Sequence, residues 1–536
     1  MTKDINLKLY IVFIILIVFL AFFVRIYDIE SFPPGIYPDE AVNGMDAVNA
    51  NESHNWKAFY ENNNGREGLF INLIALGFGL FGVSIITLKI WSILFGTFTV
   101  LGMIFLGEKL FKSRRAGITA GFLTATSFWA INFSRIGFRA IMLPFVLVWS
   151  FFFLIRGIQN KKISDYIFAG IFFGLGLHTY ISFRIAPLIL IALLIASVLS
   201  YKKFLIIHWK GIISFCIATI IISSPMLIDF YNHPEHFSGR TDQVSVFNPE
   251  INKGNLPLTL GKSFGLTLIQ FNFWGDQNWR HNLPAWPEIF PTIGIFFLVG
   301  IIYFIFDFFR LLWKRIYKGE RNKRFVLVSL ILSWFFVMIL PSAISFEGLP
   351  HALRSIGTMP VALLLAVFSL EAVFKWSEKI EKENYKRIIW ILLIIIIIGS
   401  GFWTVKMYFI DWGKSVEVHS AFDEKYMNMS NYINGLPKEN FKYVIDNGPG
   451  IQMEDGLQAS AEVVKLFTYQ KTNNVIFIKP DFEFDTIKMP AKIFLMKYDE
   501  VLISHIQGEF SQSIIVKVDN QPEFGTDFIF IDIKLK

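Results

Sequence analysis

Apolar residues in this chain come in blocks of roughly 17 to 25, the length a helix needs to cross a hydrocarbon core. The blocks fall at 8–24, 85–107, 116–133, 140–155, 165–183, 185–200, 211–230, 292–309, 325–341, 356–374 and 388–410. Lipid offers no water to bond backbone N–H and C=O groups, so each block is expected to be helical. A further stretch, 68–83, is shorter and carries Gly77, Gly79 and Gly82. Beyond residue 410 the pattern changes. Helix-like stretches (421–434, 456–468) alternate with β-branched or aromatic runs (441–446, 474–478, 513–518, 527–534), which predicts a small α/β domain. The expected fold class is an all-α polytopic membrane protein of about 11 spans over 1–410, with an extracytoplasmic α/β domain over 411–536.

Composition agrees with this class. Of 536 residues, 54% are hydrophobic and only 17% charged, against about 25% charged in soluble domains. The net charge of +7 implies no nucleic-acid partner, because Lys and Arg gather in cytoplasmic loops to set membrane topology. A single cysteine, Cys216, excludes an intrachain disulfide and a cysteine metal cluster. The first apolar block ends on Val24-Arg25-Ile26-Tyr27, without a small-residue cleavage site, and is expected to be a retained span.

Charge also orients the chain. Lys3 and Lys8, Lys109–Arg115, Lys161–Lys162, Lys202–Lys203, Arg310–Arg324 and Lys375–Arg387 should all be cytoplasmic. They can be so only if 68–83 does not cross, which predicts an interfacial or re-entrant helix there. The N-terminus is then inside and the C-terminus outside. Two outer loops, 25–84 and 231–291, are expected to form the active face, and the location is a plasma or inner cell membrane.

Six arginines break the charge rule. Arg66, Arg135, Arg139, Arg184, Arg280 and Arg354 fall near the outer ends of spans, as do His281 and His351. Each alone is accounted for by snorkelling. Six at one face suit the phosphate or diphosphate headgroup of a lipid, because the guanidinium fork matches phosphate oxygens.

Asp39-Glu40, in Ile36-Tyr37-Pro38-Asp39-Glu40-Ala41, begins a predicted short helix. One reading is ordinary capping, with Asp at the N-cap and Glu in the first turn. The other is a general base near the membrane, removing the proton from an attacking hydroxyl. Beside an arginine-held phosphate, the second reading describes transfer from a phosphate leaving group to an alcohol. Trp279, next to Arg280 and His281, is read either as interfacial belt or as a sugar-stacking side chain.

These residues resemble the C-type glycosyltransferases, in particular the protein O-mannosyltransferase and lipid A aminoarabinose transferase group. The resemblance rests on the first-loop Asp-Glu pair and on Asn63-Asn64-Gly65-Arg66-Glu67-Gly68-Leu69-Phe70 where relatives carry a Lys/His-Pro-Pro-Leu motif. It rests also on Ser134-Arg135-Ile136-Gly137-Phe138-Arg139, Asn278-Trp279-Arg280-His281-Asn282 and His351-Ala352-Leu353-Arg354. It covers roughly residues 8–375, and the chain departs from it in having Arg-Glu-Gly-Leu in place of Pro-Pro.

The resemblance implies a polyprenyl-phosphate-linked sugar donor, a protein, lipid or glycan acceptor, and inversion at the anomeric carbon. It implies Asp39 as base, with Glu40 positioning the acceptor or tuning Asp39. It implies Arg66 as a contact of the carrier phosphate; for this chain some of Arg139, Arg184, Arg280 and Arg354 are expected to join it as phosphate ligands, with Trp279, His281 and His351 as expected substrate contacts. No cofactor is required, and a divalent metal is held open as a second source of neutralisation. The rival class is a transporter or flippase, which would place ionisable groups deep in spans; His178 and Asp307 are the positions to inspect.

Overall fold

In a computed structural model of the protein, residues 5–237, 245–519 and 521–534 are described; Lys3 lies outside them. Among these residues, nine helices are long and apolar enough to cross a membrane, from Leu7–Ile26 to Glu383–Trp412. This is a multi-pass membrane protein with a small sheet domain near its C-terminus. Residues 68–81 form a 14-residue apolar helix, too short to join the nine, and the long loop holds a second such helix, Leu256–Ile269. Two of the eleven expected blocks form differently. Block 116–133 breaks into α5 (Arg114–Thr126) and α6 (Phe128–Arg135), and block 165–183 ends its α-helix at Leu175.

By its internal contacts the chain divides into two compact units, residues 1–27 with 92–408 and residues 28–91 with 409–536.

In the first unit the break in α5/α6 has a visible cause. Ser127 is extended, so the last carbonyl groups of α5 lose their helical donors. Arg25, in α1 (Leu7–Ile26), replaces those donors. Its guanidinium bonds Ala125 O at 3.1 Å, Thr124 O at 3.4 Å and, through Nε, Ser134 Oγ at 3.0 Å. In return Arg135 caps the end of α1 by donating to Val24 O at 2.8 Å. Both arginines are fully buried. Arg135, counted among the outer cations, is therefore committed to helix capping.

Gly96, in α4 (Ile85–Phe111), makes room for this knot. A Cβ there would lie 2.0 Å from Ser134 Oγ and 2.9 Å from Arg25 Nε.

Asp307, buried in the helix Pro291–Lys318, is held by two arginines. Arg310 and Arg324 each reach it at 2.5 Å. His178 bonds Ile222 O at 2.9 Å. Both positions that a transporter would use are occupied by local structure.

The second unit is built on a five-stranded sheet in the order β4-β3-β5-β7-β6. These strands are β3 (Phe441–Ile445), β4 (Val475–Ile478), β5 (Ala491–Leu495), β6 (Ile514–Val518) and β7 (Phe528–Ile533). The β4-β3-β5 part is parallel and the β5-β7-β6 part antiparallel. Side chains alternate across it as strand geometry requires. Tyr443, Ile445, Ile493, Leu495, Ile531 and Ile533 pack under Leu502, Ile503 and Ile506 of helix Glu500–Glu509. Phe494 and Phe530 face the other way, against Tyr432 of helix Glu424–Asn434.

Residues 28–91 pack on this domain. Gly44, in α2 (Pro38–Ser53), lies so close to helix Ala461–Thr468 that a Cβ would meet Leu466 at 2.5 Å. Burial pushes the Glu462 carboxyl of that helix up from an ordinary value of 4.5 to about 8, opposed by nearby Lys465.

Two predictions follow from this packing. Gly96→Val should lower the thermal midpoint of the detergent-purified protein, with overpacking costing about 1–3 kcal/mol. Gly399→Ala, which meets nothing within 4 Å, should leave the midpoint within about one degree or raise it slightly. Glu462 binds its proton more tightly folded than unfolded. Its stabilising contribution is therefore complete below pH 4.5 and lost as pH rises to about 8. Unfolding scans should find Glu462→Gln more stable than wild type at about pH 9, and the two converging near pH 4.5.

Candidate functional site

The first-loop motif sits in the second unit. Helix α2 begins with Pro38 at its first turn and Tyr37 as N-cap, which corrects the expectation of Asp39 at the cap. Glu40 lies three residues after Tyr37, and its Oε1 accepts the Tyr37 N–H at 3.2 Å. Its other oxygen stands 3.6 Å from Lys89 Nζ, and both side chains are fully buried. Glu40 is thus held in a cap and an inner ion pair, not presented to an acceptor. Asp39 keeps part of its surface exposed.

One side chain orients Asp39. Residues 59–67 form a short hairpin, β1 (Phe59–Tyr60) paired with β2 (Arg66–Glu67). Its turn runs through three consecutive left-handed residues, Asn63, Asn64 and Gly65, a conformation that Asn tolerates and Gly takes without penalty. The turn aims the Asn63 side chain so that Nδ2 donates to Asp39 Oδ1 at 2.6 Å.

The same hairpin delivers Arg66 into the protein. Its guanidinium pairs with Asp46, donates to Asn43 Oδ1 at 2.5 Å and to Asn62 O at 3.1 Å, and is 1% exposed. The expected phosphate contact through Arg66 is replaced by an internal one. The cause is Asp46, seven residues after Asp39 and so on the same helical face, which neutralises the cation.

The remaining candidates lie in the first unit. Asn132 Nδ2 holds the carbonyls of Arg280 and His281 at 2.8 and 2.9 Å. Trp129 Nε1 donates to Ala352 O at 3.2 Å. Segments 128–135, 275–289 and 351–355 are thereby bound together, which brings Arg280, His281 and His351 into one cluster.

Asp276 is its centre. Asp276 accepts N–H bonds from Asn278 and Ala352, each at 2.8 Å, and His281 Nδ1 lies 2.9 Å from its Oδ2. The His281 and His351 rings are 5.0 Å apart, and Phe133 lies against His281. Glu288, also buried, accepts the Asp276 N–H at 3.0 Å. Burial, and then repulsion from Asp276, push its carboxyl well above the ordinary range.

The other arginines have protein partners and partial exposure. Arg280 bonds Asn278 Oδ1 at 3.1 Å, and Arg354 pairs with exposed Glu347 at 2.6 Å. Arg139 lies over Tyr180, and Arg184 over both Phe230 and Phe237. Trp279 is half-buried.

Among the described residues, two groups of side chains bring metal-ligating atoms within 4.8 Å of one another: Asp276, His281 and His351, and the more exposed His233, Glu235 and His236. Asp46, Lys89, Asp276 and Glu288 lie outside the motifs, and Asn63 lies inside one without a role assigned to it. The legible signals are a lone lysine inside an apolar block and a second acid two turns after Asp39.

Residues 69–228 match the family of dolichyl-phosphate-mannose-protein mannosyltransferases. No curated protein sequence matches the chain. The fold is similar to ArnT from Cupriavidus metallidurans bound to undecaprenyl phosphate, with a TM-score of 0.54 and 12% identity, covering 98% of this chain and 99% of that one.

The fold is also similar to the oligosaccharyltransferase of Archaeoglobus fulgidus in the apo form. There the TM-score is 0.55 at 12% identity, over 96% of this chain and 70% of that one. The oligosaccharyltransferase AglB from the same organism, in complex with an inhibitory peptide and a dolichol-phosphate, gives 0.52 and 13% over 86% of this chain and 63% of that one.

The chain has the C-type glycosyltransferase fold. The family match over residues 69–228 supports the enzyme class, glycosyltransferase. At this level of identity the C-type likeness describes architecture, and the roles of individual residues rest on the geometry above.

A third prediction tests that geometry. Asp46→Ala leaves the Arg66 guanidinium buried without its counter-ion, which costs about 3–5 kcal/mol. Asp46→Leu with Arg66→Met removes both charges and should recover most of that loss. Thermal unfolding of the two variants against wild type measures both effects.

Proposed function

We propose that the protein transfers a sugar from a polyprenyl-phosphate-linked donor to an acceptor hydroxyl at the extracytoplasmic face of a cell membrane. In this reading the N-terminus is cytoplasmic, and the outer loops 25–84 and 231–291 of the membrane domain, 1–410, form the active face. Residues 411–536 are the extracytoplasmic domain.

Asp39 accepts the acceptor proton as the acceptor oxygen bonds the anomeric carbon. The bond from that carbon to the phosphate oxygen breaks, and the lipid phosphate leaves with the electron pair. Arg139, Arg184, Arg280 and Arg354 are the phosphate ligands of the proposal, because a guanidinium placed where anionic charge grows lowers the barrier. Trp279, His281 and His351 are its substrate contacts.

The observation that carries the reading is the division of labour in the Asp39-Glu40 pair. Glu40 is sealed into the helix cap and the Lys89 pair. Asp39 is the carboxylate left with exposed surface, and Asn63 fixes its direction. A single oriented carboxylate suits a general base acting on a bound hydroxyl. Two of the similar folds hold a polyprenyl phosphate, undecaprenyl phosphate in ArnT and a dolichol-phosphate in AglB, which supports this donor class.

The experiment is transfer of labelled sugar from a panel of polyprenyl-phosphate sugars to membrane acceptors, using full-length protein in nanodiscs. Asp39→Asn should lower turnover by about 10²–10⁴-fold while donor binding persists. Asn63→Ala should cost a smaller part of that rate. Equal donor turnover by wild type and Asp39→Asn would reduce Asp39 to a first-turn helix residue and overturn the mechanism.

A further inference from the structure

The cluster at Asp276 has more order than a pair of substrate-contacting histidines requires. We propose that Asp276, His281 and His351 form a site for a divalent transition-metal ion of the zinc class, with a fourth position left for an oxygen ligand. The site uses two histidines that the glycosyl-transfer reading takes as substrate contacts, and its test reads metal content, not sugar transfer.

The donor set comes first. Imidazole nitrogen with one carboxylate oxygen is a set that zinc-class ions prefer over magnesium or calcium, which favour oxygen alone. Three protein ligands with an open fourth position is the arrangement of zinc sites that bind water or substrate.

Spacing comes second. Bonds of about 2.0–2.1 Å in tetrahedral geometry hold neighbouring ligand atoms about 3.3 Å apart. His281 Nδ1 and His351 Nδ1 lie 2.9 and 3.9 Å from Asp276 Oδ2, on either side of that spacing. All three ligand atoms fall within 4.8 Å of one another. Small side-chain adjustments therefore suffice to enclose an ion.

The supporting contacts come third. A ligating carboxylate is normally fixed by further hydrogen bonds, as is the backbone that carries the histidines. Asp276 accepts the Ala352 N–H on Oδ2 and the Asn278 N–H on Oδ1. Asn132 pins the His281 carbonyl, and Ser355 Oγ donates to the His351 carbonyl at 2.9 Å. Asp276 and His281 are both about 5% exposed or less, and His351 is half-buried. The open side is thus at His351. By contrast His233 and Glu235 are exposed, so the second histidine group serves as an internal control.

Full-length protein in nanodiscs would be stripped with a chelator, loaded with zinc chloride, separated from free ion, and its zinc measured by mass spectrometry. Cobalt loading would be read by visible absorption in parallel. Wild type should retain one equivalent and give the intense bands of tetrahedral cobalt. His351→Ala and His281→Gln should weaken zinc binding by more than the roughly 10–100-fold that loss of a supporting contact costs.

His233→Ala with His236→Ala should retain the bound ion. An unchanged elution profile and thermal midpoint in the stripped His351→Ala protein would show that this variant still folds. The proposal is overturned if stripped wild type takes up no zinc, if both single variants retain it fully, or if only the His233/His236 variant loses it.

Discussion

The buried pair of Arg66 and Asp46 fixes the geometry on which the proposed chemistry depends. A guanidinium at 1% exposure is tolerable only with its charge matched and its N–H groups bonded. Asp46, Asn43 and the Asn62 carbonyl meet that demand. Because Arg66 is in β2 and Asp46 in α2, satisfying the arginine locks the hairpin of residues 59–67 onto the helix that carries Asp39. The left-handed turn then has one place to go, and Asn63 meets Asp39.

The same logic recurs in the membrane unit. A helix broken inside lipid leaves carbonyl groups that must find donors. At Ser127 the donors come from Arg25, and Arg135 answers at the end of α1. Asp307 is met by two arginines. Cations that seem from their position to be reserved for ligand are often consumed by backbone or by a buried acid. What distinguishes Arg139, Arg184, Arg280 and Arg354 is partial exposure, which leaves part of each cation accessible.

Much of the architecture was readable from hydrophobic block length, because lipid allows few alternatives. Four of the five strands of the C-terminal sheet were readable as well, from β-branched runs. Strand β5, Ala491–Leu495, was not, because a central strand covered on both faces loses the alternation that marks a strand. The block 116–133 looked continuous since Ser127 is a mild breaker, and its break depends on Arg25, some hundred residues earlier.

The Asp39-Glu40 pair was legible as a candidate, but the partners that separate its two carboxylates were not. They are Lys89, 49 positions from Glu40, and the Asn63 turn. Likewise Asp276, His281 and His351 are spread over 75 positions, so no local motif marks the cluster.

With Glu40 held in the cap and the Lys89 pair, the proposed role of Asp39 is that of a base, so the acceptor oxygen displaces the lipid phosphate directly. The most direct test is the stereochemistry of a single turnover, with product anomeric configuration read by nuclear magnetic resonance against that of the donor. Inversion at the anomeric carbon is the predicted result. Retention would require a covalent sugar intermediate in place of direct attack by the acceptor, and would contradict the assignment of Asp39 as a base.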